Sequence, residues 1–265
     1  MKIKVAAALL VAITMFYFSC IDTEERIIVN KDNSGIYLVT LDMGNMLKMV
    51  QQMGGNQNDS AKVPEKKDST MYFKSFVDTS TTLTAEEKQM LRDGSLRLKV
   101  DEAANVMKIE IKLPFKNISD LPKLRANYVN AMNKVNMMNK LSSKGDSDSG
   151  EAEMPKDMST ANKSLNPAQD AYTFTAAPGK ISNKFTNKEL FESKISQDST
   201  VQMLQQMSVM MGDMNYKTVF VLPRAVKKYA GNNAEISADK KTVTFHTTLT
   251  DLLNRPAAGE YEVEY

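Results

Sequence analysis

Arg26-Ile27-Ile28-Val29 and Ile36-Tyr37-Leu38-Val39-Thr40-Leu41 decide how this chain folds, together with the segment that joins them and the helix that comes after. Both runs are rich in β-branched and aromatic residues. The segment between them, Lys31-Asp32-Asn33-Ser34-Gly35, is polar and carries a glycine. Two such runs joined by a short turn-forming segment predict an antiparallel hairpin. The period then changes: Met43, Met46, Met49 and Met53 fall on one helical face, and Gly54-Gly55 stops the helix. Strand, strand, helix is not the alternation of a βαβ unit, so the expected class is α+β with antiparallel sheets.

Outward from that unit the same vocabulary recurs. Gly54 to Ser69 is polar and reads as a loop, and Met71 to Val77 as a strand. Thr84-Ala85-Glu86-Glu87 has the spacing of a capping box and opens a short helix through Leu91. Leu96 to Val100 and Val106 to Leu113 alternate as a second hairpin. A helix is expected from Ser119 to about Met138, with Pro122 tolerated in its first turn. Residues 139–169 are rich in Ser, Asp, Lys, Asn and Pro, with few apolar positions, the composition of a flexible linker.

Beyond the linker, Ala171 to Ala176 and Lys180 to Phe185 flank Pro178-Gly179 as a hairpin. Next in order are a short helix from Asn187 to Ser193, a methionine-lined helix from Ser199 to Met211 and a strand from Tyr216 to Leu222. A hairpin over Ala234 to Ser237 and Thr242 to Thr248 comes after them. A helical turn at Thr250 to Asn254 and a closing strand at Tyr261 to Tyr265 end the chain.

The two halves echo one another in order. Met49-Val50-Gln51-Gln52-Met53 is answered by Met203-Leu204-Gln205-Gln206-Met207, and Met71 to Val77 by Met214 to Val221. The second hairpin has its counterpart in Ala234 to Leu249, and Ser119-Asp120-Leu121 in Thr250-Asp251-Leu252. The expected architecture is two duplicated hairpin-helix-strand-hairpin units, with methionine-lined helices packed on their sheets. The expected boundaries are a signal peptide at 1–19, an N-terminal α+β unit at 20–138, the linker at 139–169 and a C-terminal α+β unit at 170–265.

The first twenty residues carry the strongest functional signal. Lys2 and Lys4 precede an uncharged run from Val5 to Phe18, and Ser19-Cys20 comes directly after it. Fourteen apolar residues are too few for a spanning helix, which needs about 20, but they suit the hydrophobic region of a secretory signal. Cys20 is the only cysteine in the chain and sits where such a signal would be cut. This pattern resembles a bacterial lipoprotein signal of the Bacteroidetes type. The resemblance implies that Cys20 becomes the mature N-terminus and carries acyl chains, and that the domain is held at the outer membrane, on its periplasmic or surface face. The acidic run Asp22 to Glu25, Thr23 excepted, resembles the surface-export tag of the same class. Val219-Phe220-Val221-Leu222-Pro223-Arg224-Ala225-Val226 and Asp239-Lys240-Lys241-Thr242-Val243-Thr244-Phe245 resemble LppM-like envelope lipoproteins. That second resemblance implies an envelope domain with a lipid-binding cavity and assigns no functional residue.

Composition narrows the remaining classes. Loss of Lys2 and Lys4 with the signal brings the 34 basic residues level with the 32 acidic ones, so no excess positive charge points to nucleic acid. Of 19 methionines, five lie between Met203 and Met214. Met203, Met207, Met210 and Met214 have helical spacing and three readings. Methionine is a good helix former that fills irregular cores. Its thioether is a soft ligand for Cu(I), which His246 could join. Flexible methionine surfaces also accept varied apolar partners. The core is the plainest reading, and an apolar groove for a lipid-like ligand is the functional alternative at these four residues. His246, the single histidine, reads as a strand-surface residue, and neither a Gly-x-Ser-x-Gly elbow nor a phosphate-binding glycine motif is present. The expectation is therefore a non-enzymatic envelope domain without catalytic residues, cofactor or metal. Its partners would be the membrane through the lipid, an envelope protein, or an apolar small molecule.

Overall fold

The computed structural model describes residues 21–53, 66–135, 169–197, 201–202, 205–206, 208 and 212–265. Its strands are β1 (Asp22–Val29), β2 (Gly35–Asp42), β3 (Lys66–Tyr72), β4 (Ser95–Asp101), β5 (Val106–Phe115), β6 (Tyr172–Ala177), β7 (Lys180–Phe185), β8 (Asn215–Val221), β9 (Lys228–Gly231), β10 (Ala234–Ile236), β11 (Thr242–Thr248) and β12 (Tyr261–Glu264). Its helices are α1 (Gly44–Met53), α2 (Lys74–Thr79), α3 (Ala85–Leu91), α4 (Leu121–Lys134), α5 (Lys188–Gln197) and α6 (Leu249–Asn254). Helical backbone also occurs at residues 201, 202, 205, 206 and 208.

The strands form two open sheets, one of eight in the order β3-β4-β5-β2-β1-β8-β11-β10 and one of four in the order β6-β7-β12-β9. The α+β class with antiparallel-rich sheets is as the sequence predicts. One ladder in the large sheet is parallel: β1 runs beside β8 from Asp22 opposite Asn215 to Ile28 opposite Val221. That ladder joins strands from either side of residues 139–169, so the two predicted units contribute to a single sheet. The two halves also pair differently. β3 lies against β4, the first strand of the hairpin after it, whereas β8 lies against β11, the second strand of its own.

The core comes from register. Leu113, Tyr37, Ile27, Phe220 and Val243 stand directly opposite one another across β5, β2, β1, β8 and β11, and all five are buried. Directly paired residues share a face of the sheet, so this is one apolar row facing the core. At one end of the hairpin Gly35 lies opposite Phe115. A Cβ there would fall 2.0 Å from the Ile28 carbonyl oxygen and 2.4 Å from the Phe115 ring, so only glycine lets that ring lie down. The small sheet packs on the same core through Ile181, Tyr261, Val263 and Tyr265.

The strand predicted from Met71 to Val77 is a correction. β3 starts earlier, at Lys66, and ends at Tyr72, after which the chain turns into α2. The reason is burial. Phe73 and Val77 are four apart and both fully buried, a helical repeat rather than a strand's alternation. Lys74 and Asp78 pair at 2.7 Å on the opposite side, and Arg92 reaches Asp78 at 2.8 Å. Arg92 first and Lys74 second hold the Asp78 carboxyl down at about 2.

The capping box at α3 is present as the sequence predicts. Glu87 N–H donates to Thr84 Oγ1 at 3.2 Å, and Thr84 N–H donates to Glu87 Oε2 at 2.9 Å. Lys134, at the end of α4, donates to the other oxygen of Glu87 at 2.6 Å, so the cap also ties α3 to α4. Thr84→Ala should lower stability by about 1 kcal/mol, seen as a lower urea midpoint at unchanged slope. An unchanged midpoint would mean that the box contributes nothing in solution.

Candidate functional site

One row along from the apolar row lies a second, and it contains a charge. Ile111, Val39, Glu25, Thr218 and Phe245 stand opposite one another across the same five strands. The alternation that points Ile27 and Val29 inward points Glu25 inward as well. α4 answers it. Leu121, Leu124, Tyr128, Ala131 and Met132 form the buried face of that helix, and Arg125 sits among them at 8% exposure. Its Nε donates to Glu25 Oε1 at 2.6 Å and its Nη2 to Oε2 at 3.0 Å. Tyr37 Oη donates to the same Oε1 at 2.5 Å.

Every surrounding group is tuned by this pair. Burial disfavours the charge on Arg125, but the charge and hydrogen bonds of Glu25, with Tyr261 and Tyr37, together outweigh that and raise the guanidinium pKa well above its ordinary value. Burial, with the Glu25 charge, likewise raises the hydroxyls of Tyr37 and Tyr128. The Tyr128 ring meets Tyr37 edge-on at 5.6 Å, and the Arg125 guanidinium lies 4.7 Å from the centre of the Phe174 ring on β6. The cluster therefore fastens α4, the large sheet and the small sheet at one point. Both Glu25 oxygens are already engaged by bonds from Arg125 and Tyr37, so the carboxylate is poorly placed to take a proton from a substrate.

A third row, Ile109, Leu41, Thr23, Tyr216 and Thr247, is more polar still. The hydroxyls of Thr23 and Thr247, on either side of Tyr216, are buried with no hydrogen-bond partner among the described residues. Burial, with the charge of Asp213, pushes the Tyr216 hydroxyl up to about 12.

The site residues predicted from sequence fall in different places. Met214 is 3% exposed inside the core, as is Met43 at the head of α1. Met203, Met207 and Met210, with Cys20, lie outside the described residues. His246 lies in register with Lys217, and its Nε2 is 3.7 Å from Glu235 Oε2 on β10. The acidic residues expected to form an export tag are part of β1. Asp22 accepts from the Asn215 side chain, Glu24 pairs with Arg26 and Lys217, and Glu25 is in the core cluster. Among the described residues no three His, Cys, Asp or Glu side chains converge as a metal site, and no helix is long and apolar enough to cross a membrane.

The Glu25–Arg125 pair was legible in two local patterns. Glu25 is in phase with Ile27 and Val29, and Arg125 falls four residues after Leu121 and three before Tyr128. Each is a charge on an apolar face, and two such charges of opposite sign are expected to meet.

No family model matches the chain, and no curated protein matches it. Among solved structures, the NMR structure of the folded domain of Mycobacterium tuberculosis LppM aligns with 94% of this chain and 92% of its own. The identity is 7% and the TM-score 0.34. At that identity and TM-score the likeness carries neither a residue nor a role across. Between Val219 and Phe245, β8 ends before Pro223, and the charged turn is built around Asp239. Its Oδ1 accepts from the Ser237 hydroxyl at 2.6 Å and from Lys241 N–H at 3.0 Å.

Proposed function

We propose that this protein is a lipid-anchored, non-enzymatic binding domain of the bacterial cell envelope, held at the outer membrane through acyl chains on Cys20. The observation that carries the reading is the junction between that cysteine and the fold. Ile21 is 8% exposed, its carbonyl accepts from Asn215 N–H at 3.2 Å, and β1 begins at the next residue. A signal cut before Cys20 removes none of the described residues. It leaves the modified residue two peptide units, at most about 7 Å, from the first residue of the central strand of the large sheet. Two or more acyl chains, at about 0.8 kcal/mol per buried methylene, would hold such a domain on a bilayer almost permanently.

The same junction orients the domain. On this reading, because Ile21 alone separates Cys20 from β1, the end of the sheet where β1 starts and α1 begins would face the membrane. The Asn30 to Ser34 turn stands off by the length of an eight-residue strand, about 26 Å. That turn and the strand ends beside it are the surface left for an envelope protein partner.

Expression of the full gene product in a bacterial host with an alkyne palmitate analogue tests the anchor. The wild type should take the label and partition into the detergent phase of Triton X-114, and Cys20→Ser should do neither. Label retained in the serine variant would rule the anchor out. Orientation has its own measurement in protein reconstituted into vesicles: a cysteine at Asn33→Cys should react with a bulky maleimide several-fold faster than one at Asn45→Cys. Equal rates would mean that the domain tumbles on its anchor.

A further inference from the structure

A surface cleft of about 360 Å³ lies where the chain leaves the small sheet for the large one, at the turn between β9 and β10. It lies apart from the anchor, and its Tyr261 wall backs onto the interior cluster. Its walls are small, from Ala230 on β9 and from Ala257 and Ala258 in the turn after α6. Gly231 is built into it: its φ is +155°, and a Cβ there would fall 2.6 Å from the Phe245 ring. The backbone can run this close to the core only without a side chain.

The polar groups on the cleft are unequal in kind. Lys184 is exposed and has no ion-pair partner among the described residues. Asn232 has its amide nitrogen buried with no acceptor among the described residues. Arg255 gives Nη2 to Asp251 at 2.7 Å, which leaves the rest of its fork of donors. Against these stands the Glu260 carboxylate, whose Oε1 already takes the Phe185 N–H at 2.9 Å, and Tyr261 also lines the cleft. A buried donor with no acceptor is uncommon, because its lost hydration goes uncompensated until something supplies an oxygen. Three donor-bearing groups around one cavity call for an oxyanion.

The charge balance narrows the ligand. Asp251 pairs with Arg255, Lys184 lies in the field of Glu262, and Glu260 lines the cleft itself, so the cleft has little net charge to hold a dianion. It suits a single negative charge beside a donor that can use the free Glu260 oxygen. We propose that this cleft binds a small hydroxy- or amino-carboxylate. The carboxylate is held by Lys184, Arg255 and the Asn232 amide, and the hydroxyl or amine is held by Glu260. The volume lies at the low end of the range for small-molecule sites, about 300–1,000 Å³.

The test is an amide chemical-shift titration of the isotope-labelled full chain in detergent micelles, with L-lactate and glycine as probes and inorganic phosphate as comparator, at constant ionic strength. Saturable shifts at Gly231, Asn232 and Ala258 with millimolar midpoints are the expected result. Lys184→Gln should weaken them at least tenfold. Asn232→Asp, which replaces a donor by a charge of the wrong sign, should abolish them. Lys112→Gln, on the large sheet, should leave them unchanged. Non-saturating shifts at those amides, equal weakening by Lys112→Gln, or tighter binding of phosphate than of either carboxylate would each overturn the proposal.

Discussion

Arg125→Met should remove about 3–5 kcal/mol of folding stability, and Glu25→Met together with Arg125→Met should recover most of it. The asymmetry comes from desolvation. In the wild type both Glu25 oxygens accept from Arg125, and Tyr37 adds a further donor. Taking away the guanidinium leaves a carboxylate inside an apolar row with only the Tyr37 hydroxyl for company. Replacing both charges by thioethers of similar length removes the burden along with the bond. Natural domains are stable by about 5–15 kcal/mol, so the single variant would sit near its unfolding threshold. Urea denaturation monitored by circular dichroism measures both proteins. A single variant within about 1 kcal/mol of wild type would show that Glu25 is hydrated in solution and that the pair is not a joint.

Phe220→Ala is the second large effect, at about 3–5 kcal/mol. The ring is 0% exposed, in the middle of the apolar row, and it touches both sheets. Phe245 of the large sheet meets it edge-on at 6.1 Å, and Tyr261 of the small sheet at 5.3 Å, while Tyr261 stacks on Phe245 at 5.3 Å. Deleting Phe220 leaves a cavity bounded by two rings held in their own strands, which limits how far the site can collapse. Because the ring ties the sheets, unfolding should stay a single transition that moves to lower denaturant. Two separated transitions in the wild type, with only one of them shifted in the variant, would show instead that the sheets are energetically independent.

Local patterns in the chain carried a good deal of this structure. Period-two runs marked β1, β2, β4, β5, β6, β7, β8 and β11 to within a few residues. The Thr84 to Glu87 spacing marked a cap that forms as expected, and Pro122 sits in the first turn of α4 as its missing N–H requires. Where local reading failed, the signal was absent or mixed. β9 is exposed at every residue, so no alternation announces it. Phe73 and Val77 lie in a run of β-formers, and only the burial of both on one side shows a helix there.

The class, the hairpins and the apolar side of each strand could all be read from the chain, because they depend on neighbours within a few residues of one another. The pairing of β1 with β8, across nearly two hundred residues, could not. Alternation states which face a strand buries and is silent about which strand it lies beside. Folding in three dimensions also placed three acidic residues after Cys20 in a central strand, with Glu25 against Arg125 from a helix a hundred positions away. It brought Lys184, Asn232, Arg255 and Glu260 around one cleft from separate elements, a convergence with no spacing in the chain to reveal it.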